Sequence, residues 1–152
     1  MIIAVSNRYP DLQDPVIATQ CLADCTQSLA EFTLPSGELS IVFVDDSAIS
    51  SIHHQFMKDS SPTDVITFKA TPEMDSAGEI IVSVDHARAR AKDLNLPFAR
   101  ELALYLAHGW LHLAGFDDHN DEDRKKMRSA EKTILDALDQ LPQFPDFQIV
   151  KK

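Results

Sequence analysis

The spacing of apolar residues divides the chain into a strand-rich first half and a helical second half. Runs rich in β-branched residues predict strands at 2–6, 38–44, 64–68 and 78–84. Apolar residues spaced three and four apart predict helices at 14–32, 47–57, 85–94, 97–115 and 120–141. These elements predict an α+β fold, in which a single small mixed four-stranded sheet is covered by about five helices.

The length of the chain fits one domain, which we place at residues 1–141 of the 152. The remaining residues, 142–152, include two prolines and are expected to form a loose C-terminal tail. The longest mostly apolar segment, 102–116, contains two histidines and is too short to span a bilayer. The N-terminus lacks a basic stretch followed by an apolar one, so we expect a cytoplasmic protein without a membrane partner.

The charge of the chain restricts its possible partners. The formal net charge is −10, and a field of this sign repels nucleic acid at long range. An RNA partner therefore requires a local basic patch. The cationic side chains that could line such a groove, or could instead form a solvated surface, are Lys58, Lys69, Arg88, Arg90 and Lys92.

The segment 108–119, HGWLHLAGFDDH, contains three of the six histidines. Residues four apart on a helix share a face, so His108 and His112 can direct two imidazoles to one point. Gly115 can adopt the left-handed conformation that ends a helix, and the loop after it can return His119 toward the pair. Three protein ligands and one open position are typical of a catalytic zinc site. The pattern therefore predicts a metal site on a central helix and the loop after it.

The residue after the first histidine separates this site from the zinc proteases. In those enzymes a glutamate at that position acts as the general base, and here the position is Gly109. Glycine weakens a helix by about 1 kcal/mol relative to alanine, so its presence here needs a reason. Because glycine has no side chain, we expect it to permit the close approach of another backbone or of a substrate. Peptidase chemistry is disfavoured.

The histidine segment strongly resembles the signature HGxLHLxGxDH of the YbeY endoribonuclease family, which are metal-dependent enzymes of ribosomal RNA maturation. Three further segments support the resemblance. SPTDVITF (61–68) resembles the family's xxTNVLSF, GEIIVSVDHARARA (78–91) resembles its GDIxI strand and following helix, and DEDRKKMRSAEKTIL (121–135) resembles its closing helix with a methionine and a glutamate. The resemblance covers roughly residues 38–140.

The resemblance places the first two metal ligands on His108 and His112. The third family ligand follows GxD directly, and that position is Asp118, with His119 one residue later. Either the loop is one residue longer and His119 binds, or Asp118 replaces the histidine. We favour His119, because a loop absorbs an extra residue more easily than a site changes its ligand type. The expected cofactor is one Zn²⁺ or another divalent metal.

The catalytic groups are less well defined by the resemblance. The family arginine before TNVLSF falls on Met57, and the neighbouring Lys58 can replace it as a point charge without a bidentate fork. Glu101, which shares a helix face with His108, and Asp117 in the loop are the candidate general bases. A hydroxide and the RNA 2′-hydroxyl both remain possible as the nucleophile.

The resemblance implies a single-strand-specific endoribonuclease acting in the 3′-end maturation of 16S ribosomal RNA and in ribosome quality control. Its implied partners are RNA, the small ribosomal subunit and assembly factors. Two alternatives remain open at this point. One is a metal-dependent hydrolase of a peptide or small ester, and the other is a non-catalytic ribosome-assembly factor with a structural metal, whose site would be closed by a fourth protein ligand.

Overall fold

The computed structural model describes residues 1–57 and 64–150. The strands are β1 (Ile2–Asn7), β2 (Glu38–Val44), β3 (Val65–Phe68) and β4 (Ser76–Ser83). The helices are α1 (Val16–Gln27), α2 (Asp46–Met57), α3 (Val84–Leu94), α4 (Phe98–Leu113) and α5 (Asp121–Asp139), with single 3₁₀ turns at Ala30–Phe32 and Pro72–Met74. Within the described residues, no helix has both the length and the apolar character needed to cross a membrane.

The four strands form one mixed sheet in the order β1-β2-β4-β3. β1, β2 and β4 run parallel, and β3 pairs antiparallel with β4 at the edge. The predicted α+β fold, with a small mixed sheet and five helices, is confirmed. Parallel strands require crossover connections. In the described part of the chain, α1 lies between β1 and β2, and α2 follows β2 on the way to β4.

Helices cover the sheet on both faces and enclose two apolar clusters. The larger core lies between one face and helices α1, α3, α4 and α5, and the smaller one lies beneath α2. α4 is the central element of the larger core, since Leu102, Leu106 and Trp110 on it are fully buried. This position brings the C-terminal half of α4 across β3 and β4.

The first helix ends earlier than its apolar spacing predicts. α1 ends at Gln27 rather than near residue 32, and a 3₁₀ turn follows. The hydroxyl of Thr26 donates to the Leu22 carbonyl at 2.8 Å, and that of Ser28 donates to the Cys25 carbonyl at 2.6 Å. Such side chains offer the backbone carbonyls an alternative to continued helical hydrogen bonding, which explains the early end.

The C-terminal segment differs from the loose tail that the prolines suggested. Ile149 forms an antiparallel bridge with Leu12, and the Val150 amide donates to the Asp11 carbonyl at 2.7 Å. Phe147 is buried in the larger core at 3% exposure. The segment 142–150 therefore packs against the domain, because the ring of Phe147 contacts Phe43 of β2 and its backbone groups pair with the loop between β1 and α1.

Ser83, at the end of β4, connects two helix starts. Its hydroxyl accepts from the His86 amide at 3.1 Å, which caps α3, and donates to Asp46 Oδ1 at 2.6 Å, at the start of α2. Ser83 is fully buried. We expect Ser83→Ala to lower the free energy of unfolding by about 1–2 kcal/mol, the typical cost of losing a helix cap. Chemical denaturation measures this, and an unchanged midpoint would contradict the assignment.

Candidate metal centre

Helix α4 presents His108 and His112 side by side near its C-terminal end. Their Nε2 atoms lie 3.0 Å apart, and the ring centroids are 4.6 Å apart in an edge-to-face arrangement. The two side chains are 21% and 24% exposed, so each is half-buried but open to solvent. The i,i+4 spacing predicted this convergence, and the structure places the rings accordingly.

Gly109 allows α4 to lie close to the sheet. A Cβ atom at this position would lie 2.9 Å from Ile80 Cγ2 and 3.1 Å from Val65 Cγ2. Both methyl groups belong to β-branched side chains, which rotate little within a strand. The close neighbour of Gly109 is therefore the side-chain layer of β3 and β4, not another backbone or a substrate. This packing explains why the position holds glycine rather than a base.

Gly115 ends α4 with the left-handed turn that the sequence predicted. Its φ is +100°. The Gly115 amide donates to the His112 carbonyl at 3.2 Å and the Phe116 amide to the Leu111 carbonyl at 2.9 Å. These two bonds form a Schellman motif, which satisfies carbonyls at the helix end and reverses the chain direction. The reversal brings the following acidic residues back toward the two histidines.

Asp118 is the residue that this loop places beside the histidine pair. Its Oδ2 lies 3.6 Å from His108 Nε2 and 3.8 Å from His112 Nε2. Among the described residues, the potential ligand atoms of His108, His112 and Asp118 lie within 4.8 Å of one another and form a group that could hold a metal ion. Two ligands bound at about 2 Å to one tetrahedral ion lie roughly 3.3 Å apart, so these separations fit a single divalent cation.

His119, favoured from the sequence as the third ligand, lies outside this group. Its side chain is 80% exposed, and its Nε2 is 3.6 Å from Asp117 Oδ1. The local reason is the start of α5, since Asn120 is the N-cap and its Oδ1 accepts from the Asp123 amide at 2.8 Å. His119 directly precedes that cap, and its ring extends into solvent.

Glu131 contacts the site from α5, and its role was not predicted from the sequence. Its Oε2 lies 2.6 Å from His108 Nδ1, and the Glu131 side chain is 15% exposed. Met127, Ala130 and Ile134 form the buried stripe of α5. Glu131 follows Met127 by four residues and so lies along this stripe. An acidic residue within an apolar stripe was the available signal, but its partner lies on another helix.

The two histidines have pKa values shifted in opposite directions. Burial lowers the pKa of His108, but the hydrogen bond and charge of Glu131, with the charges of Asp64 and Asp118, outweigh it and raise the pKa above its ordinary value. Burial and the neighbouring His108 lower the pKa of His112, and nearby acidic charges offset this only in part. The lowered pKa favours the neutral form of His112, which is the form in which imidazole coordinates a metal.

Of the candidate catalytic residues, Glu101 and Asp117 are not members of the metal-ligand group found among the described residues. Glu101 is buried at 5% exposure one turn before Tyr105 on α4, and burial together with the charge of Glu101 raises the pKa of Tyr105. The Asp117 side chain is 57% exposed and faces His119. Lys58 lies outside the described residues. Met57 ends α2 in the structure, and its side chain belongs to the part of the chain that the structure does not describe.

The fold and the site together define one class of protein. It is an α+β domain in which the end of the central helix carries two histidines beside a carboxylate. The chain belongs to the YbeY family, whose model, described as Endoribonuclease YbeY, matches residues 11–139. This confirms the resemblance that the histidine segment suggested.

Individual relatives match over most of their length. The chain is 33% identical to Endoribonuclease YbeY of Carboxydothermus hydrogenoformans over 134 residues, covering 84% of this chain and 94% of the relative. It is 32% identical to Endoribonuclease YbeY of Desulforamulus reducens, covering 91% and 97%. Its fold is similar to the solution structure of TM1509 from Thermotoga maritima, with a TM-score of 0.63, 26% identity and coverage of 90% and 88%.

Proposed function

We propose that the chain is a metal-dependent endoribonuclease that cuts single-stranded RNA. The observation that carries the proposal is the convergence of His108, His112 and Asp118 on one point at the end of α4, in a member of the YbeY family. By the same family membership, its proposed role is the 3′-end maturation of 16S ribosomal RNA and ribosome quality control. The small ribosomal subunit and its assembly factors are the corresponding partners, and the cytoplasm the corresponding location.

The ligand set supports a catalytic ion over a structural one. A structural zinc site is closed by four protein ligands, whereas a catalytic one has three and keeps a position open. The group identified among the described residues has three members, and the Asp118 side chain is 41% exposed. A bound Zn²⁺ or other divalent cation would supply Lewis-acid stabilisation of charge on a phosphoryl oxygen.

The charges around the site favour a flexible strand as the substrate. Lys69 and Arg90 are exposed, whereas Arg88 already donates to the Tyr9 hydroxyl at 2.9 Å and lies 3.8 Å from Asp11. Lys92 and Lys126 are exposed as well, but the chain carries a net charge of −10, and a duplex would bring more phosphates close to it than a single strand does. A flexible single strand can approach His108, His112 and Asp118 with fewer phosphate contacts.

Cleavage assays on matched substrates test this function. We expect the protein to cut a single-stranded precursor fragment from the 3′ end of 16S ribosomal RNA, and to leave the same sequence intact when it is annealed in a duplex. Peptide and ester substrates serve as the comparison. Hydrolysis of those substrates without RNA cleavage would replace the proposal with the general hydrolase. Metal binding without any hydrolysis would replace it with the assembly factor.

We further propose Asp118 as the third ligand, in place of the His119 favoured from the sequence. We expect Asp118→Ala to weaken zinc binding at least about 100-fold, because it removes a charged ligand atom beside both imidazoles. His119→Ala should bind zinc as the parent does, and it is the matched control one residue away. Isothermal titration with zinc measures both. Loss of zinc binding in His119→Ala with retention in Asp118→Ala would reverse the assignment.

A further inference from the structure

The carboxylate of Glu131 fixes which nitrogen of His108 faces the ligand group. Nδ1 of the ring lies 2.6 Å from Glu131 Oε2. Nε2, on the other side of the ring, lies 3.0 Å from His112 Nε2 and 3.6 Å from Asp118 Oδ2. An ionised carboxylate is an acceptor without a hydrogen to donate. Therefore the Nδ1 of a neutral His108 carries the hydrogen, and Nε2 keeps its lone pair toward the group.

The surroundings of Glu131 on α5 make its carboxylate costly to leave without a hydrogen-bond partner. The neighbours of Glu131 along the helix face are the buried Met127, Ala130 and Ile134. A carboxylate with 15% side-chain exposure in such surroundings needs a hydrogen-bond partner. Among the described residues, the Glu131 carboxylate pairs with His108 Nδ1, so the side chain of Glu131 and the ring of His108 restrain each other.

We propose that Glu131 is a positioning residue of the metal centre, which holds His108 in its Nδ1–H tautomer and directs Nε2 toward the ion. The proposal rests on the metal site of the proposed function, and it assigns to α5 a role in that site. Carboxylates that orient ligating imidazoles through the second nitrogen typically change metal affinity by about 10–100-fold when removed. The alternative is a merely structural contact that attaches α5 to α4.

The tautomer can be read without metal and without RNA. In chelator-treated protein, at an alkaline pH at which the His108 ring is neutral, ¹⁵N NMR of the imidazoles should show the hydrogen of His108 on Nδ1. His108→Gln assigns the signal by removing it. We expect Glu131→Ala to bring up the Nε2–H form and Glu131→Gln to retain the Nδ1–H form, because the amide oxygen can still accept.

Zinc titration of the same variants shows whether Glu131 orients His108 for the metal or only attaches α5 to α4. We expect Glu131→Ala to bind zinc about 10–100-fold more weakly than the parent, and Glu131→Gln to lie between the two. The matched control is Glu122→Gln, an exposed glutamate at the start of the same helix, which should bind as the parent does. If Glu131→Ala does not fold, a weaker affinity of Glu131→Gln than of Glu122→Gln supports the proposal.

Two results would overturn the inference. One is an unchanged His108 tautomer in a folded Glu131→Ala together with parent-like zinc affinity, even if the melting temperature falls. The other is equal zinc affinity in Glu131→Gln and Glu122→Gln. Failure of the endoribonuclease proposal would look different, since the parent would then bind zinc with the expected tautomer and leave RNA uncut.

Discussion

Replacing His112 by alanine is expected to abolish stoichiometric zinc binding and to lower kcat/KM for single-stranded RNA by about 1,000-fold or more. His112 Nε2 lies 3.0 Å from His108 Nε2, and burial beside His108 lowers the pKa of His112. Its loss leaves one imidazole and one carboxylate, fewer than the three protein ligands of a catalytic site. A 1,000-fold loss corresponds to about 4 kcal/mol, the scale of transition-state stabilisation that a metal supplies.

The control for this substitution is His54→Ala, since His54 is an exposed histidine on α2. It should leave both zinc binding and RNA cleavage at the parent level. His112→Gln fills a similar volume and separates ligand loss from a packing defect. Circular dichroism of each variant in chelator reports whether the fold is retained. Parent-like cleavage by a folded His112→Ala would contradict the ligand assignment.

Replacing Trp110 by alanine is expected to give the largest loss of stability, about 3–5 kcal/mol in the free energy of unfolding. Trp110 lies between the two histidines in sequence and on the buried side of α4. Its side chain is fully buried, and its Nε1 donates to the Phe32 carbonyl at 2.7 Å. The substitution leaves a cavity and removes the partner of that carbonyl. Domains of this size are stable by about 5–15 kcal/mol, so the variant should melt at a much lower temperature.

Two variants divide this effect into its parts. Trp110→Phe keeps most of the apolar contact and loses the indole N–H, so we expect a smaller loss than for alanine. Phe56→Ala removes an aromatic ring that is 58% exposed, and we expect it to be nearer neutral. Thermal and chemical unfolding measure all three. A midpoint for Trp110→Ala within error of that for Phe56→Ala would contradict the role of Trp110 as the side chain that holds α4 in the larger core.

The parts of the site that sequence could predict are those determined by local geometry. The spacing of His108 and His112 places them on one helix face, whatever else the chain does. Gly115 marks the helix end because its positive φ, +100° here, is readily adopted by glycine. Both features depend on a few consecutive residues, and the structure has both.

The parts that sequence could not determine depend on contacts between distant elements or on the path of a loop. The contact between Glu131 and His108 spans 23 residues and forms only when α5 packs on α4. Gly109 is explained by methyl groups on β3 and β4, which no local pattern reveals. The choice between Asp118 and His119 depends on where α5 begins, since the Asn120 cap leaves His119 facing solvent. Helix boundaries of this kind are not fixed to one residue by apolar spacing.

The fold also has features that local sequence determines and features that depend on contacts between distant elements. The element order and the α+β class come from periodicity, which is local. The parallel pairing of β1, β2 and β4 and the packing of 142–150 against the loop between β1 and α1 depend on tertiary contacts. Periodicity alone therefore predicted the number of strands and helices, but it did not predict that the C-terminal segment packs against the domain.

RNA cleavage by the chelator-treated protein, with and without added zinc, tests whether the proposed activity depends on a metal ion. A single-stranded RNA fragment is incubated with chelator-treated protein, and cleavage is followed as zinc is added back in known amounts. We predict no cleavage by the stripped protein and full recovery at about one zinc per chain, with no recovery for His112→Ala. Undiminished cleavage by the stripped protein, or equal recovery by His112→Ala, would show that RNA cleavage does not require a metal at this site.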